Sequence, residues 1–150
     1  MNANPIVVVA ILGALISGAC AALQTPTNAA LAKAVNSPVN AALISFTVGT
    51  AALVMVALAM GVKPNPAAMR ELPLYAWTGG LYGAFFVTAA AFSAPRIGLA
   101  FFIALLIAGQ MGMALLLDQI GAFGLERQPV NVSRVLGGLA ILAGVFLIRK

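Results

Sequence analysis

The chain has 150 residues, of which 63% are hydrophobic and only 7% are charged. In a soluble domain about a quarter of the residues carry charge, so this composition indicates an integral membrane protein. The net charge is +5, but the basic residues lie singly at segment ends, which favours headgroup anchoring over a nucleic-acid surface. With one cysteine, no histidine and three acids, we predict no disulfide, metal site, cofactor or catalytic pair.

Five apolar stretches predict an all-α protein with five transmembrane helices in a single membrane domain, residues 1–150. The predicted helices are Pro5–Ala34, Val39–Val62, Leu72–Ala94, Ile97–Leu117 and 130–148. The last one has the shortest apolar core, so we expect it to include Val130–Ser133 while Arg134 snorkels to the membrane interface.

The first helix carries a stripe of polar residues. Ser17, Cys20, Gln24 and Asn28 recur at helical spacing and fall on one face. Pro26 predicts a kink beside them because its nitrogen cannot donate to the preceding turn. Lipid cannot satisfy such groups, so this face is predicted to line a binding cavity.

Turn residues separate the next segments. We predict a turn over Asn36–Pro38, with Pro38 opening the second helix, and a short interfacial helix over Ala67–Leu72. Within the second helix, Ser45 and Gly49 lie one turn apart and predict close approach of a neighbouring backbone.

The third helix brings aromatic and small residues together. Gly79 and Gly83 form a small-xxx-small pair that favours tight helix crossing. Trp77 and Tyr82 are interpreted first as belt and core aromatics and, as the alternative, as substrate contacts. Ser93–Arg96 predicts a tight turn after the helix.

The fourth and fifth helices hold the remaining candidates. Gln110 is predicted to face the bundle interior because an unbonded amide is costly in hydrocarbon. Asp118 is either a solvated carboxylate at a helix end or a coupling group that binds a proton or substrate. Gly137 and Gly144 are seven residues apart on an otherwise apolar helix, which predicts an interface.

The basic residues show no preferred orientation. With five spans, one face would hold Lys63, Arg70, Arg127 and Arg134, and the other Lys33, Arg96, Arg149 and Lys150. Because cytoplasmic loops normally carry the excess of Lys and Arg, four against four favours insertion in both orientations. A partner subunit that sets the orientation is the alternative.

Several motifs together resemble the YdcZ-type family of the drug/metabolite transporter (DMT) superfamily. They are Gln24-x-Pro26-x-Asn28, Trp77-x-Gly79-Gly80-x-x-Gly83, Gly109-Gln110 and Asp118-x-x-Gly121. The resemblance covers essentially the whole chain. The last helix is also similar to the glycine-heptad helix that makes the dimer contact in small multidrug resistance transporters.

The resemblance implies a multi-pass transporter of the bacterial cytoplasmic (inner) membrane. The chain would be half of a ten-helix inverted-repeat arrangement and would pair as an antiparallel homodimer or with a sister subunit. The fifth helix would then seal the dimer, while the first four would line the cavity. Small multidrug resistance proteins carry a glutamate in the first helix, and this chain has none, which favours a neutral or zwitterionic polar metabolite.

The axial rise of a helix suggests a site shared between two chains. At 1.5 Å per residue, Gln24 lies about 28 Å from Pro5 and Gln110 about 20 Å from Ile97, so inversion of a partner would bring its Gln110 to the leaflet of Gln24. A channel and a structural or accessory membrane subunit that does not transport stay open as alternatives.

Overall fold

A computed structural model describes residues 4–149, and in this part of the chain all the regular structure is helical. There are six α-helices and two short 3-10 helices, Leu74–Trp77 and Ala122–Gly124. The α-helices are α1 (Pro5–Ala34), α2 (Pro38–Ala59), α3 (Pro66–Arg70), α4 (Gly79–Ile97), α5 (Leu99–Ile120) and α6 (Val132–Ile148). Lys150, one of the charges counted above, lies outside the described residues.

The first helix has the bounds predicted for it. Asn4 caps α1 by accepting a hydrogen bond from the Ile6 backbone N–H at 3.0 Å, and Pro5 occupies the first helical position, where its missing N–H costs nothing. The helix is continuous through Pro26 for 30 residues, about 45 Å at the standard rise.

The predicted turn between the first two helices is confirmed. Asn36 takes a left-handed backbone (φ 50°), and the Ser37 N–H bonds back to the Ala32 carbonyl at 3.0 Å, as in a Schellman ending. Ser37 then caps α2, and Pro38 opens it. The short helix predicted near 67–72 is also present as α3.

The third apolar stretch differs from its prediction at both ends. A 3-10 turn, Leu74–Trp77, precedes α4, so the helix begins at Gly79 instead of Leu72. The turn predicted over Ser93–Arg96 is wrong, because α4 continues through Pro95 to Ile97. The break comes at Gly98, whose positive φ of 87° suits glycine and ends the helix.

The remaining boundaries shift by a few residues. α2 ends at Ala59 instead of Val62, before Gly61 turns left-handed. α5 covers Leu99–Ile120 instead of Ile97–Leu117, because its left-handed stop is Gly121 (φ 65°). α6 begins at Val132, two residues after the predicted start, because the Asn131 side chain caps the Arg134 N–H at 2.9 Å.

The chain divides into two compact units, Met1–Arg96 and Ile97–Lys150, and its organisation as one membrane domain stays a prediction. In the first unit α1 packs along α2, and α4 joins them where Ala32, Ala41 and Ala91 form a buried cluster. In the second unit α5 packs along α6. Small side chains let the helix backbones approach closely.

Three helices, α1, α2 and α5, are long and apolar enough to cross a membrane. α6 is apolar but has 17 residues, about 25 Å of helix against a hydrocarbon core of about 30 Å. α4 has 19 residues, but its glycines, Ser93 and Arg96 make it less apolar. Three of the five predicted spans are therefore both long enough and apolar enough to cross a membrane.

Candidate functional site

The polar stripe of α1 lines a groove in the structure. Ser17, Cys20 and Gln24 border a cavity of about 450 Å³ together with Ile16 and Ala21. The lining contains no charged side chain, so the groove offers only a hydroxyl, a thiol and an amide to a ligand.

These three groups differ in how free they are to bind. The Ser17 hydroxyl donates to the Gly13 carbonyl at 2.8 Å, a bond within the helix that leaves its lone pairs as acceptors. Cys20 is an exposed free thiol, which is a weak hydrogen-bonding group. The Gln24 amide has no hydrogen bond to any described residue, so it is the strongest unused donor and acceptor in the groove.

Gln24 also borders a second cavity, between α1 and α2. This cavity of about 200 Å³ is lined from α2 by Ser45, Phe46, Gly49, Thr50 and Leu53. The hydroxyls of Ser45 and Thr50 make no hydrogen bond with the described residues. Gln24 thus joins two neutral polar surfaces.

Sequence reasoning missed Ser45 and Thr50 as candidate ligand contacts. The Ser45 and Gly49 pair predicts close backbone approach, but a Cβ on Gly49 would meet nothing within 4 Å, so that prediction is wrong for Gly49 within one chain. The sequence does contain a signal for these two residues. Ser45 and Thr50 are polar residues inside an apolar helix, and lipid cannot form hydrogen bonds with their hydroxyls.

Asn28 lies one turn beyond Gln24 but in a different environment. It is only 5% exposed, beside the buried Thr25 and Ala32. The Thr25 hydroxyl donates to the Ala21 carbonyl at 2.9 Å, whereas the Asn28 amide has no partner among the described residues and keeps its small exposed area on its polar atoms. The Asn28 amide therefore keeps limited access to a ligand or a second chain.

The two aromatic candidates lie outside these grooves. Trp77 lines a shallow depression with Met69 and Arg70 at the α3 end of the first unit, as an interfacial aromatic would. Tyr82 is 68% exposed. A role in substrate contact stays a prediction for both residues.

Gln110 is exposed on α5 and makes no hydrogen bond with the described residues. It belongs to the second unit, whereas Gln24 belongs to the first. Nothing in its own unit buries Gln110, and the expectation that it faces the interior of an assembled bundle stays a prediction.

Asp118 is the centre of a polar network that joins α5 to α6. Its carboxylate pairs with the Arg134 guanidinium at 3.1 Å, and its backbone carbonyl accepts from the Gln128 N–H at 2.8 Å. Arg134 also bonds the Gln128 side chain and backbone carbonyl, so its guanidinium is held at the α5–α6 connection, and its snorkelling to the membrane interface stays a prediction. The coupling role of Asp118 stays a prediction.

Gly137 and Gly144 border open space on α6. A Cβ on either glycine would meet nothing within 4 Å, and Gly137 lines a cavity of about 330 Å³ between α5 and α6 together with Asp118 and Arg134. Large apolar side chains on the same helix, including Phe146 and Leu147, are exposed. Their role in a dimer stays a prediction.

Comparison with known families decides the class of protein. A family model described as "Putative inner membrane exporter, YdcZ" matches residues 9–147. The chain belongs to the YdcZ family.

Family membership and the apolar helices together place the chain in a membrane. As a YdcZ-family member the chain is a multi-pass integral protein of the inner membrane and a membrane exporter of the DMT type, and the family is one of exporters and not of enzymes. No curated protein and no solved structure matches the chain.

Proposed function

We propose that the chain is one half of an exporter that carries a small neutral or zwitterionic polar metabolite by alternating access. Two inverted copies would rock around a central site. Five spans, α1, α2, α4, α5 and α6, would form each half, and a sister subunit in place of the second copy is the alternative assembly.

The observation that carries this proposal is the position of Gln24. Its unpaired amide borders two adjoining cavities, and the α2 side adds the unpaired hydroxyls of Ser45 and Thr50. Neither lining includes a charged side chain, so a ligand would be held by neutral hydrogen bonds, which select polar and not ionic compounds. A substrate with a net positive or negative charge would find no side chain of opposite charge in either cavity.

The second copy would complete the site. In an inverted partner, Gln110 would lie in the leaflet that holds Gln24 of the first chain, and its unpaired amide would gain a partner. Asn28 would contribute a second amide. The balanced distribution of basic residues supports this arrangement, because it gives neither orientation an advantage.

A transport assay on Gln24 tests the proposal. Proteoliposomes with the purified chain are loaded with an equimolar mixture of the common amino acids, neutral sugars and polyols, and efflux is followed by mass spectrometry. We expect saturable efflux of one compound class, reduced about 5- to 30-fold by Gln24→Ala, since one lost hydrogen bond to a buried ligand costs about 1–2 kcal/mol.

Thr27→Ala is the matched control, because the Thr27 hydroxyl already donates within its own helix to the Leu23 and Gln24 carbonyls. It should export at the wild-type rate. Equal loss in both variants, or efflux that fails to saturate as in a channel, would contradict the proposal.

A further inference from the structure

Another cavity lies at the end of the first unit, away from Gln24. It has a volume of about 380 Å³ and is bordered by the last turn of α1, the first residues of α2 and the last turn of α4. Lys33 and Arg96 line it from two different helices, with Asn36 and Ser37 between them.

Local structure brings the two cations to one place. The left-handed turn at Asn36 reverses the chain just after Lys33, and the buried alanines Ala32 and Ala91 allow α1 and α4 to meet there. Because α4 continues past Pro95, Arg96 stays on the helix and lines the cavity.

The charge of this cavity is uncompensated. No carboxylate is among the residues that line it, and Asp118, the acid nearest a long helix end in the other unit, is paired with Arg134. Lys33 has neither a hydrogen bond nor an ion pair with the described residues. Arg96 donates to the Phe92 carbonyl, and its guanidinium stacks 3.6 Å from the centre of the Phe92 ring. These contacts orient the guanidinium but do not neutralise its positive charge.

The positive charges of Lys33 and Arg96 repel each other across the cavity. An anion bound between them would attract both charges and offset that repulsion. The apolar surroundings indicate which anion. Val39 and Phe92, which directly follow the lining residues Pro38 and Ala91 in the chain, are 64% and 49% exposed, so the apolar tail of an anion could extend over them. The cavity also lies at helix ends, where the phosphate layer of a bilayer begins.

We propose that the cavity bordered by Lys33 and Arg96 binds the phosphate group of an anionic phospholipid. The ammonium and guanidinium contact the phosphate oxygens, Asn36 and Ser37 offer further polar contacts, and the acyl chains run along the exposed apolar side chains of α1, α2 and α4. Basic pockets between membrane helices hold lipid headgroups in this way. The site is independent of the neutral grooves at Gln24.

Lipid binding to the purified full-length chain tests this site. In a neutral maltoside detergent, phosphatidylglycerol and phosphatidylcholine are titrated separately, and bound lipid is counted by native mass spectrometry. We expect phosphatidylglycerol to bind at least tenfold more tightly. The double variant Lys33→Gln, Arg96→Gln should weaken phosphatidylglycerol binding about 25-fold, about fivefold for each basic residue, and should weaken the binding of zwitterionic phosphatidylcholine less.

The control removes the same charge elsewhere. Lys63→Gln, Arg70→Gln lowers the net charge equally in the segment between α2 and α4 and should change binding by no more than about twofold. Equal weakening in both double variants would overturn the proposal, because attraction would then be unspecific. Competition by millimolar inorganic phosphate that fully displaces the lipid would also overturn it, in favour of a soluble-anion site.

Two further variants separate folding from binding. The exchange Lys33→Arg, Arg96→Lys keeps both charges and should bind within about threefold of the wild type. If the double glutamine variant loses helical circular dichroism, Lys33→Gln alone gives the test, since that exposed side chain makes no hydrogen bond or ion pair with the described residues. A fivefold loss supports the site, and an unchanged affinity overturns it.

Discussion

At the residue scale, the polar side chains of α1 and α2 divide into those satisfied within their own helix and those left free. The hydroxyls of Ser17, Thr25, Thr27 and Thr47 all donate to backbone carbonyls of the preceding turn. Such bonds let hydroxyls exist in an apolar helix without any other partner. Amides have no equivalent local bond, so Gln24 and Asn28 remain available for a ligand or a second chain.

A substitution of Asn28 should separate an effect on transport from an effect on stability. Asn28→Leu replaces a nearly buried amide, which has no hydrogen-bond partner among the described residues but keeps exposed area on its polar atoms, with an apolar side chain of similar size, so we expect thermal unfolding in detergent to change by no more than about 1 kcal/mol. Export should fall at least tenfold because the amide is lost. Both effects are measured on the same preparation.

Thr25→Val is the control for Asn28. Thr25 is 1% exposed and bonded within α1, and the substitution is similar in shape, so export should be retained. A transport loss with Thr25→Val as large as that with Asn28→Leu would indicate that packing of this helix face matters and that the amide does not.

At the element scale, the contact of α4 with α2 depends on one glycine. A Cβ on Gly83 would lie 3.0 Å from the tip of the Phe46 ring, which is tighter than most side-chain contacts, so the ring would have to shift. Gly83→Leu should therefore separate the two helices and destabilise the first unit by about 1–3 kcal/mol, seen as a lower midpoint of thermal unfolding.

Gly80 offers the matched comparison on the same helix. A Cβ there would meet nothing within 4 Å, so Gly80→Leu should unfold within a degree or two of the wild type. If the two variants unfold alike, the Gly83 contact with Phe46 does not hold the helices together.

The sequence predicted elements well where the signals were local. The Asn36–Pro38 turn and the bounds of α1 follow from turn and cap residues that act on their immediate neighbours. The predicted turn at Ser93–Arg96 failed because proline within the last helical turn loses only one hydrogen bond, and the stronger signal was the left-handed Gly98.

Side-chain environment was harder to predict than helix position. Helical spacing places Gln24 and Asn28 on neighbouring parts of α1, but only packing against the other helices decides that one lines a groove and the other is buried. The Asp118–Arg134 pair spans 16 residues and depends on how the α5–α6 connection folds, which periodicity does not encode.

At the scale of the whole molecule, the prediction concerns how two copies pair through α6. In a Cys20→Ser background, Gly137→Cys and Ile148→Cys are made in separate copies that are expressed together in membranes. An antiparallel homodimer should crosslink position 137 of one copy to position 148 of the other, because inversion brings opposite helix ends together.

Leu136→Cys paired with Ile148→Cys is the control for helix face, since Leu136 points about 100° away from Gly137. It should crosslink much less. Crosslinks only between identical positions would show a parallel pair, and the balance of basic residues would then be a coincidence. An absence of crosslinks would favour a sister subunit.

The charge distribution in α1 and α2 has a consequence for the energetics of transport. Together the two helices that border Gln24 contain a single ionisable basic residue, Lys33, in the last turn of α1, and no acid. Each elementary charge moved through a membrane potential of 100 mV gains or loses about 2.3 kcal/mol, so rearranging these helices around a neutral substrate moves almost no charge through the field. We therefore expect the membrane voltage to exert little direct force on the movement of α1 and α2. Net export of the substrate should then follow the concentration gradient of the substrate.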